Sequence, residues 1–320
     1  MQILAVDDEP DILELLPLLA ARVGFPHIVT AASGPAALEI LSRPGTGFDC
    51  LLFDINMPDI DGIELTRRVR QIPAYRRTPI IIITAMSERE YIDSAFQAGA
   101  TDYVTKPFDM TELGVRLRLA SELAAARRGS EPSPLAQGKD AGDMILQRCD
   151  LESAIEIEGV QNVADAVSFR NYIKQLSRSG LAASQLIAIG IRQIADHHSR
   201  ASEQEFQYIL REVVDAVSAV MLNTLSLISY QGNGVFVALS SAAAVLASED
   251  IEAEVQAIID ERDIQLDDGT SINLEVAVGS PVRPHFGGIA DVEKSIERAV
   301  ARANARMSAP PITVNFRQFK

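Results

Sequence analysis

The 320-residue sequence has no tryptophan, only two cysteines and just 5% aromatic residues. With Cys50 and Cys149 alone, no disulfide framework can staple the chain, so its stability has to come from buried apolar surface. No apolar run approaches the roughly 20 residues that a membrane-spanning helix needs. The opening "MQILAVDDEP" goes straight into an apolar strand and then acids, unlike a signal peptide, and a cytoplasmic location is expected. Positive charge is also scarce: 29 lysines and arginines face 44 acids, for a net charge of −15. Residues 1–130 carry 18 acids against 13 bases, and the remainder 26 against 16. Neither part offers a broad positive surface to a phosphate backbone, which argues against nucleic-acid binding. What the chain does have is 47% hydrophobic residues, enough for the cores of two domains.

From the start, short apolar runs alternate with helical patterns. The runs are "ILAV" (3–6), "HIVTA" (27–31), "CLLFD" (50–54), "PIIIITA" (79–85) and "DYVTKP" (102–107). Strands and helices alternating at this spacing predict a five-stranded parallel sheet covered on both faces. The fourth run is apolar throughout, as a strand buried on both sides would be. A helix near 109–128 closes this first domain, placed at 1–126. "RRGSEPSPLAQGKDAGD" (127–143), rich in Gly, Pro, Ser and charge, reads as a linker.

The second domain, 144–320, has another rhythm. A largely helical lead-in runs from 145 to 180. After it come a strand at 185–191, a helix at 203–220, a hairpin around "QGNG" (231–234), a helix through 251–261, a strand at 272–278 and a helix at 291–306. The order βαββαβα predicts an α/β sandwich with a mostly antiparallel sheet.

Strands of a parallel sheet end at one edge, and ligands bind in the crevice there. The polar residues at the ends of the apolar runs are Asp7, Asp8, Asp54, Thr84 and Lys106. Any one acid at a strand end can simply be solvated. Three carboxylates brought together repel, which is tolerable when a hard cation such as Mg²⁺ sits among them. One carboxylate is then free to attack a phosphoryl donor, while the metal and a lysine neutralise the growing charge. A hydroxyl at Thr84 could hydrogen-bond the new phosphoryl oxygens.

With "VDDEP", "LFDINMPDIDG", "IIITA" and "DYVTKPF" in this order, residues 1–125 resemble the receiver domain of bacterial two-component response regulators. The resemblance implies a flavodoxin-like fold with Asp54 as phosphoacceptor. It gives Asp7, Asp8, Asp54 and the backbone carbonyl of Asn56 to Mg²⁺, and Lys106 to the phosphoryl group, with Lys106–Pro107 in cis. Thr84 and Tyr103 would be the switch pair, and Pro58 and Gly62 match the loop after the acceptor. The implied upstream partner is a sensor histidine kinase or a phosphotransfer protein.

"SYQGNGVFVAL" (229–239), "LEVAVGSPV" (274–282), "IAIGIRQI" (187–194) and "EKSIERAVARANAR" (293–306) together resemble the diguanylate cyclase family, named for its GGDEF signature. That family has a nucleotidyl-cyclase-like, ferredoxin-related fold, and its chemistry needs carboxylates for two metal ions. Its signature falls here on Gln231, Gly232, Asn233, Gly234 and Val235, with Asn233 and Gly234 in place of the two acids. Its metal aspartates fall at or near Ala188 and Gly190, and its inhibitory site on Leu222 and Leu225. The nearest bases to its terminal-helix lysine are Arg302 and Arg306. The turn keeps its permissive glycines and loses its charge. The expectation is therefore a domain without cyclase activity and without catalytic residues, acting on an unknown downstream protein. The alternative is a module that binds GTP or a cyclic dinucleotide without turnover, its backbone amides still holding phosphate. The 115–128 helix is compatible with a homodimerising connector and equally with packing on the receiver.

Overall fold

The structure is a computed structural model describing residues 1–85, 89–129, 151–152, 157, 160, 162–176, 178–222, 224–241, 247–284 and 289–310. The chain divides into two units, Met1–Ile145 and Leu146–Lys320. The inferred linker lies outside the described residues, except where its first three positions continue a helix to Gly129.

In the first unit, β1 (Ile3–Val6), β2 (Ile28–Ala31), β3 (Cys50–Asp54), β4 (Ile80–Thr84) and β5 (Asp102–Thr105) form one sheet in the order β2-β1-β3-β4-β5. All of its pairings are parallel. Between and after the strands come α1 (Pro10–Arg22), α2 (Gly34–Leu41), α3 (Gly62–Arg70), α4 (Arg89–Gln97) and α5 (Met110–Gly129). This is the flavodoxin-like, doubly wound order, whose switch point lies between β1 and β3. Alternate residues of the strands feed opposite faces. Ile81, Ile83 and Val104 join Leu16, Leu19, Leu113 and Leu117 in one core, which holds α1 and α5 against the same side of the sheet. In α5, Leu117, Ala120 and Ala124 are buried, so the central apolar stripe of this helix packs on its own domain. Val115 and Leu119 remain exposed.

The second unit contains α6 (Ala166–Gln175), α7 (Arg178–Ala182), β6 (Ser184–Ile191), α8 (Ile194–Arg200), α9 (Glu203–Val220), β7 (Leu225–Tyr230), β8 (Val235–Ser241), α10 (Ser248–Asp260), β9 (Val276–Val278) and α11 (Ile289–Met307). Its sheet has the order β7-β8-β6-β9 with every pairing antiparallel. Ser202 and Glu205 form a capping box that starts α9. The apolar stripe of α9, with Ile251, Val255 and Ile259 of α10, covers one face of the sheet through Ile187, Ile189 and Ile191. The intervening Gly190 faces the other way, against Met307 at the end of α11.

Two elements differ from expectation. The strand read at 272–278 is reduced to Val276–Val278, because the Gln256 side chain donates to Leu274 O (2.8 Å) and accepts from Val276 N (2.9 Å) in place of a strand neighbour. The lead-in is helical only from Ala166 onward among the described residues. Before that, Val163 bridges Ile228 in parallel, and the Ile228 N–H donates to Asn162 O at 2.8 Å. An edge strand that needs a partner for its backbone groups outweighs helical propensity in that segment.

Candidate metal and phosphoryl site

The carboxyl ends of the first unit's strands bring the expected residues together. Asp7 continues β1, its N–H donating to Ala31 O (3.2 Å), and Asp54 and Thr84 are the last residues of β3 and β4. Lys106 follows β5, its N–H donating to Thr84 O at 2.7 Å. Asp7, Asp54 and Thr84 are buried, while Asp8 is exposed. Asp7, Asp8 and Asp54 each present an oxygen within 4.8 Å of the others. A set of carboxylates with this spacing suits a hard divalent cation, so the donor chemistry fits Mg²⁺.

The Lys106 ammonium lies 2.9 Å from Asp7 Oδ2, 2.8 Å from Asp54 Oδ1 and 2.8 Å from Glu9 Oε1. Burial alone would lower the lysine pKa. The close carboxylates of Asp54, Glu9 and Asp7 outweigh burial and push it above the ordinary lysine value, so Lys106 stays charged. The Asp54 carboxyl is raised by burial, against the lowering pull of Lys106. An acid whose charged form is disfavoured by its surroundings gains from a neighbouring cation, and Mg²⁺ would serve that role.

Gly62 fixes the loop after the acceptor. Its N–H donates to Ile55 O at 3.0 Å, and a Cβ there would lie 2.1 Å from Asp54 O. The chain can turn back onto β3 only without a side chain at this point. Thr84 and Tyr103 sit on adjacent strands and, by the Ile82–Tyr103 and Thr84–Thr105 register, face the same side of the sheet. Tyr103 is buried, and burial raises its hydroxyl pKa. The Lys106–Pro107 bond is cis. Glu9 escaped the sequence reading. The signal was a third acid directly after Asp7 and Asp8, at a position that otherwise reads only as the start of a helix.

Residues 3–118 match the response regulator receiver domain. The first unit is a receiver domain. Over 117 residues the chain is 35% identical to the transcriptional regulatory protein SrrA of Staphylococcus aureus, covering 37% of this chain and 46% of that protein. The match thus spans less than half the length of that relative. Among solved structures, the chain is similar to a response regulator receiver domain protein from Clostridium thermocellum (25% identity, TM-score 0.37, 39% of this chain and 98% of the other). It is also similar to the chemotaxis response regulator CheY4 of Vibrio cholerae (31% identity, TM-score 0.35, 37% and 97%).

In the second unit, Gln231, Gly232, Asn233, Gly234 and Val235 make the hairpin turn between β7 and β8, with positive φ at Gly232 (88°), Asn233 (51°) and Gly234 (72°). The amides of Asn233, Gly234 and Val235 are committed. Asn233 N–H donates to Leu151 O (2.7 Å), Gly234 N–H to the Tyr230 hydroxyl (3.0 Å) and Val235 N–H to Gly232 O (3.0 Å). Glu152 O packs so close to Gly232 that a Cβ there would lie 2.3 Å from it. At Gly190 a Cβ would meet Met307 Sδ at 2.5 Å. Arg192 caps the end of α11 by donating to the carbonyls of Met307, Ala309 and Arg306. Arg306 pairs with buried Glu252 at 2.6 Å, and Arg302 donates to the carbonyls of Ser280 and Pro281. Leu222 is 70% exposed, and Leu225 begins β7.

Proposed function

We propose that the protein is a phosphorylation-dependent response regulator whose second unit is a cyclase-like GGDEF relative without cyclase activity, signalling by contact with another protein. The convergence of Asp7, Asp8, Asp54 and Lys106 at one sheet edge carries the receiver half of this reading. A carboxylate oxygen of Asp54 attacks the phosphorus of a phosphohistidine on a sensor kinase or phosphotransfer protein. The P–N bond breaks and its electron pair stays on the imidazole. Asp7, Asp8, Asp54 and the Asn56 carbonyl would hold Mg²⁺, which supplies charge neutralisation on the phosphoryl oxygens when bound. Lys106 keeps its proton and offers hydrogen bonds to those oxygens, and the Thr84 hydroxyl lies on the strand beside the acceptor.

For the second unit, support comes from what fills the cyclase positions. Gly190 has Met307 against it, Arg302 and Arg306 are held by the unit's own groups, and the signature turn is bound by Leu151 and Glu152. A phosphate at the amides of Asn233, Gly234 and Val235 would have to displace Leu151 O, the Tyr230 hydroxyl and Gly232 O. The name of the Staphylococcus relative points to transcription for that protein, but the acid excess of the second unit does not favour duplex DNA here. A small-ligand reading keeps one observation: a cleft of about 320 Å³ lined by Arg170, Gln231, Asn233, Glu297 and Asn304, in which Gln231 Nε2 is buried without a hydrogen-bond partner among the described residues.

The test is the mass of the whole protein in solution by light scattering, with and without Mg²⁺ and beryllofluoride, alongside pull-down from lysate. Asp54→Asn serves as control. A change in mass or in the captured protein that disappears in the variant supports the proposal. If neither changes and GTP or a cyclic dinucleotide raises the melting temperature, the ligand-binding reading replaces it.

A further inference from the structure

The Lys106 ammonium lies 2.8–2.9 Å from three carboxylates, and its side-chain hydrogen bond goes to Glu9 Oε1 at 2.8 Å. Two of these belong to the metal cluster: the side chains of Asp7 and Asp54 are 0% and 5% exposed. Glu9 is different. Its side chain is 61% exposed, and it lies outside the cluster that could hold a cation. It also occupies the N-cap of α1 without making a side-chain cap hydrogen bond. A helix start favours Ser, Thr, Asp or Asn, whose short side chains accept from the first free amides. Here the capping position carries a longer acid, and its carboxylate reaches Lys106, 97 residues away in sequence. Its own N–H donates to Asp7 Oδ1 at 3.0 Å, which fixes the backbone from which the side chain departs. A local rule is broken in favour of a contact at the site, a pattern expected where function overrides helix chemistry.

We propose that Glu9 is a positioning residue that competes with the phosphoryl group for Lys106, holding the ammonium over Asp54 before transfer and releasing it to the phosphoryl oxygens afterwards. The inference rests on the reading of Asp54 as phosphoacceptor. A phosphoryl group on Asp54 brings three terminal oxygens that need donors. The contact of Lys106 with Asp54 passes to the phosphoryl group on that same side chain, and Lys106 can give a second hydrogen bond to it only by leaving Asp7 or Glu9. Releasing Asp7 would leave a buried carboxylate short of its counter-charge, which is costly. Releasing Glu9 returns an exposed carboxylate to water, which costs little. Glu9 is therefore the contact that yields. Holding Lys106 in this way also weakens the site for any anionic phosphoryl mimic by the strength of one exposed ion pair.

The experiment measures beryllofluoride binding to the full chain at fixed Mg²⁺ by tyrosine fluorescence, and Mg²⁺ binding alone by calorimetry. Both are run for the unaltered protein, Glu9→Gln, Glu9→Asp and Asp54→Asn. Removing an exposed ion pair of ordinary strength should tighten beryllofluoride binding in Glu9→Gln by about two- to five-fold. Mg²⁺ binding should stay the same or weaken, since a nearby negative charge is gone. A residue needed only to shape the helix start would weaken both. Glu9→Asp keeps the charge but is one methylene too short for Lys106, so it should bind beryllofluoride like Glu9→Gln. Beryllofluoride affinity in Glu9→Gln that is equal to or below the unaltered protein's would overturn the proposal, as would Glu9→Asp behaving like the unaltered protein. If the unaltered protein binds no beryllofluoride, or Asp54→Asn binds it equally well, the phosphoacceptor reading itself falls.

Discussion

Replacing Gly62 with alanine puts one methyl group where the backbone leaves no room. The new Cβ would lie 2.1 Å from Asp54 O, 2.9 Å from Asp54 C and 3.1 Å from Ile55 Cα. None of these atoms can rotate away, as a side chain could, so β3 or the start of α3 has to move. Overpacking of a well-filled site costs about 1–3 kcal/mol, and a clash against main chain belongs at the top of that range. Alanine recovers at most about 1 kcal/mol of helix propensity over glycine, and less at the first position of α3. The expected net loss for the receiver is about 2–3 kcal/mol. The displaced atoms belong to the acceptor itself, so transfer should suffer separately from stability. A shift approaching 1 Å in a reacting group can cost on the order of 100-fold in rate.

Gly24 provides the matched control. Its φ is +99° and a Cβ there meets nothing within 4 Å, so Gly24→Ala carries only the left-handed backbone strain, about 1–2 kcal/mol. Hydrogen exchange of β1 and β3 amides reads receiver stability without interference from the second unit. Labelling of Asp54 from acetyl phosphate with Mg²⁺, below the melting range of both variants, reads transfer. Gly62→Ala should lose stability and labelling together, and Gly24→Ala only stability. Normal labelling in Gly62→Ala would refute the argument that this glycine holds the acceptor in place.

The other predictions follow from the same geometry. The folded-state pKa of Asp54 is raised, so the stability linked to its protonation is fully present below the unfolded value of about 3.9 and is lost as pH rises through the folded one. In EDTA, Asp54→Asn should therefore melt higher than the parent at pH 7, by a margin that shrinks toward pH 4; a lower melting temperature at pH 7 would contradict this. Gly232→Ala, blocked by Glu152 O, should cost about 2–3 kcal/mol in the second unit and speed proteolysis near residues 151–152, whereas unchanged digestion would argue against the lead-in contact. Restoring the signature acids with Asn233→Asp and Gly234→Glu should yield no cyclic dinucleotide from GTP, and product detected by chromatography would reverse the reading of the second unit. Glu9→Ser supplies a proper N-cap to α1 and should stabilise the receiver by up to about 1 kcal/mol in denaturant titration.

The receiver site was legible in the sequence because its residues end apolar runs, and strand ends are positions that local pattern can read. Asp54, Thr84 and Lys106 needed only the rule that parallel strands finish at one edge. Glu9 could not be found that way, since its partner is 97 residues away in sequence and its own neighbourhood reads as a helix start. The hairpin turn was equally legible, three permissive residues between two β runs. What packs around it was not. Met307 against Gly190, Arg192 on the end of α11 and Leu151 on Asn233 join segments far apart in the chain, and none carries a pattern of its own. The shortened β9 belongs to the same class, because nothing in "INLEV" announces that a glutamine from α10 will take its hydrogen bonds.

These long-range contacts bear on how the two units divide the work. In the receiver, three carboxylates (Asp7, Glu9 and Asp54) contact one lysine and Asp8 adds another beside Asp7 and Asp54, an arrangement that gains from a cation and responds to a phosphoryl group carrying about −1.5 to −2 charges. Such a site is costly to keep unless its charge changes are used. The hairpin side of the second unit is the opposite. Methionine fills the space beside Gly190, the Leu151 and Gly232 carbonyls and the Tyr230 hydroxyl take the amides of Asn233, Val235 and Gly234, and Glu252 and Arg306 neutralise each other. A region in which most of these groups are already engaged, Gln231 Nε2 being the exception at the turn, has little left with which to bind or activate a nucleotide. It can still present a surface of defined shape. The proposed function divides the work accordingly, giving the charge-driven event to the receiver and the output to contacts on the exterior of the second unit.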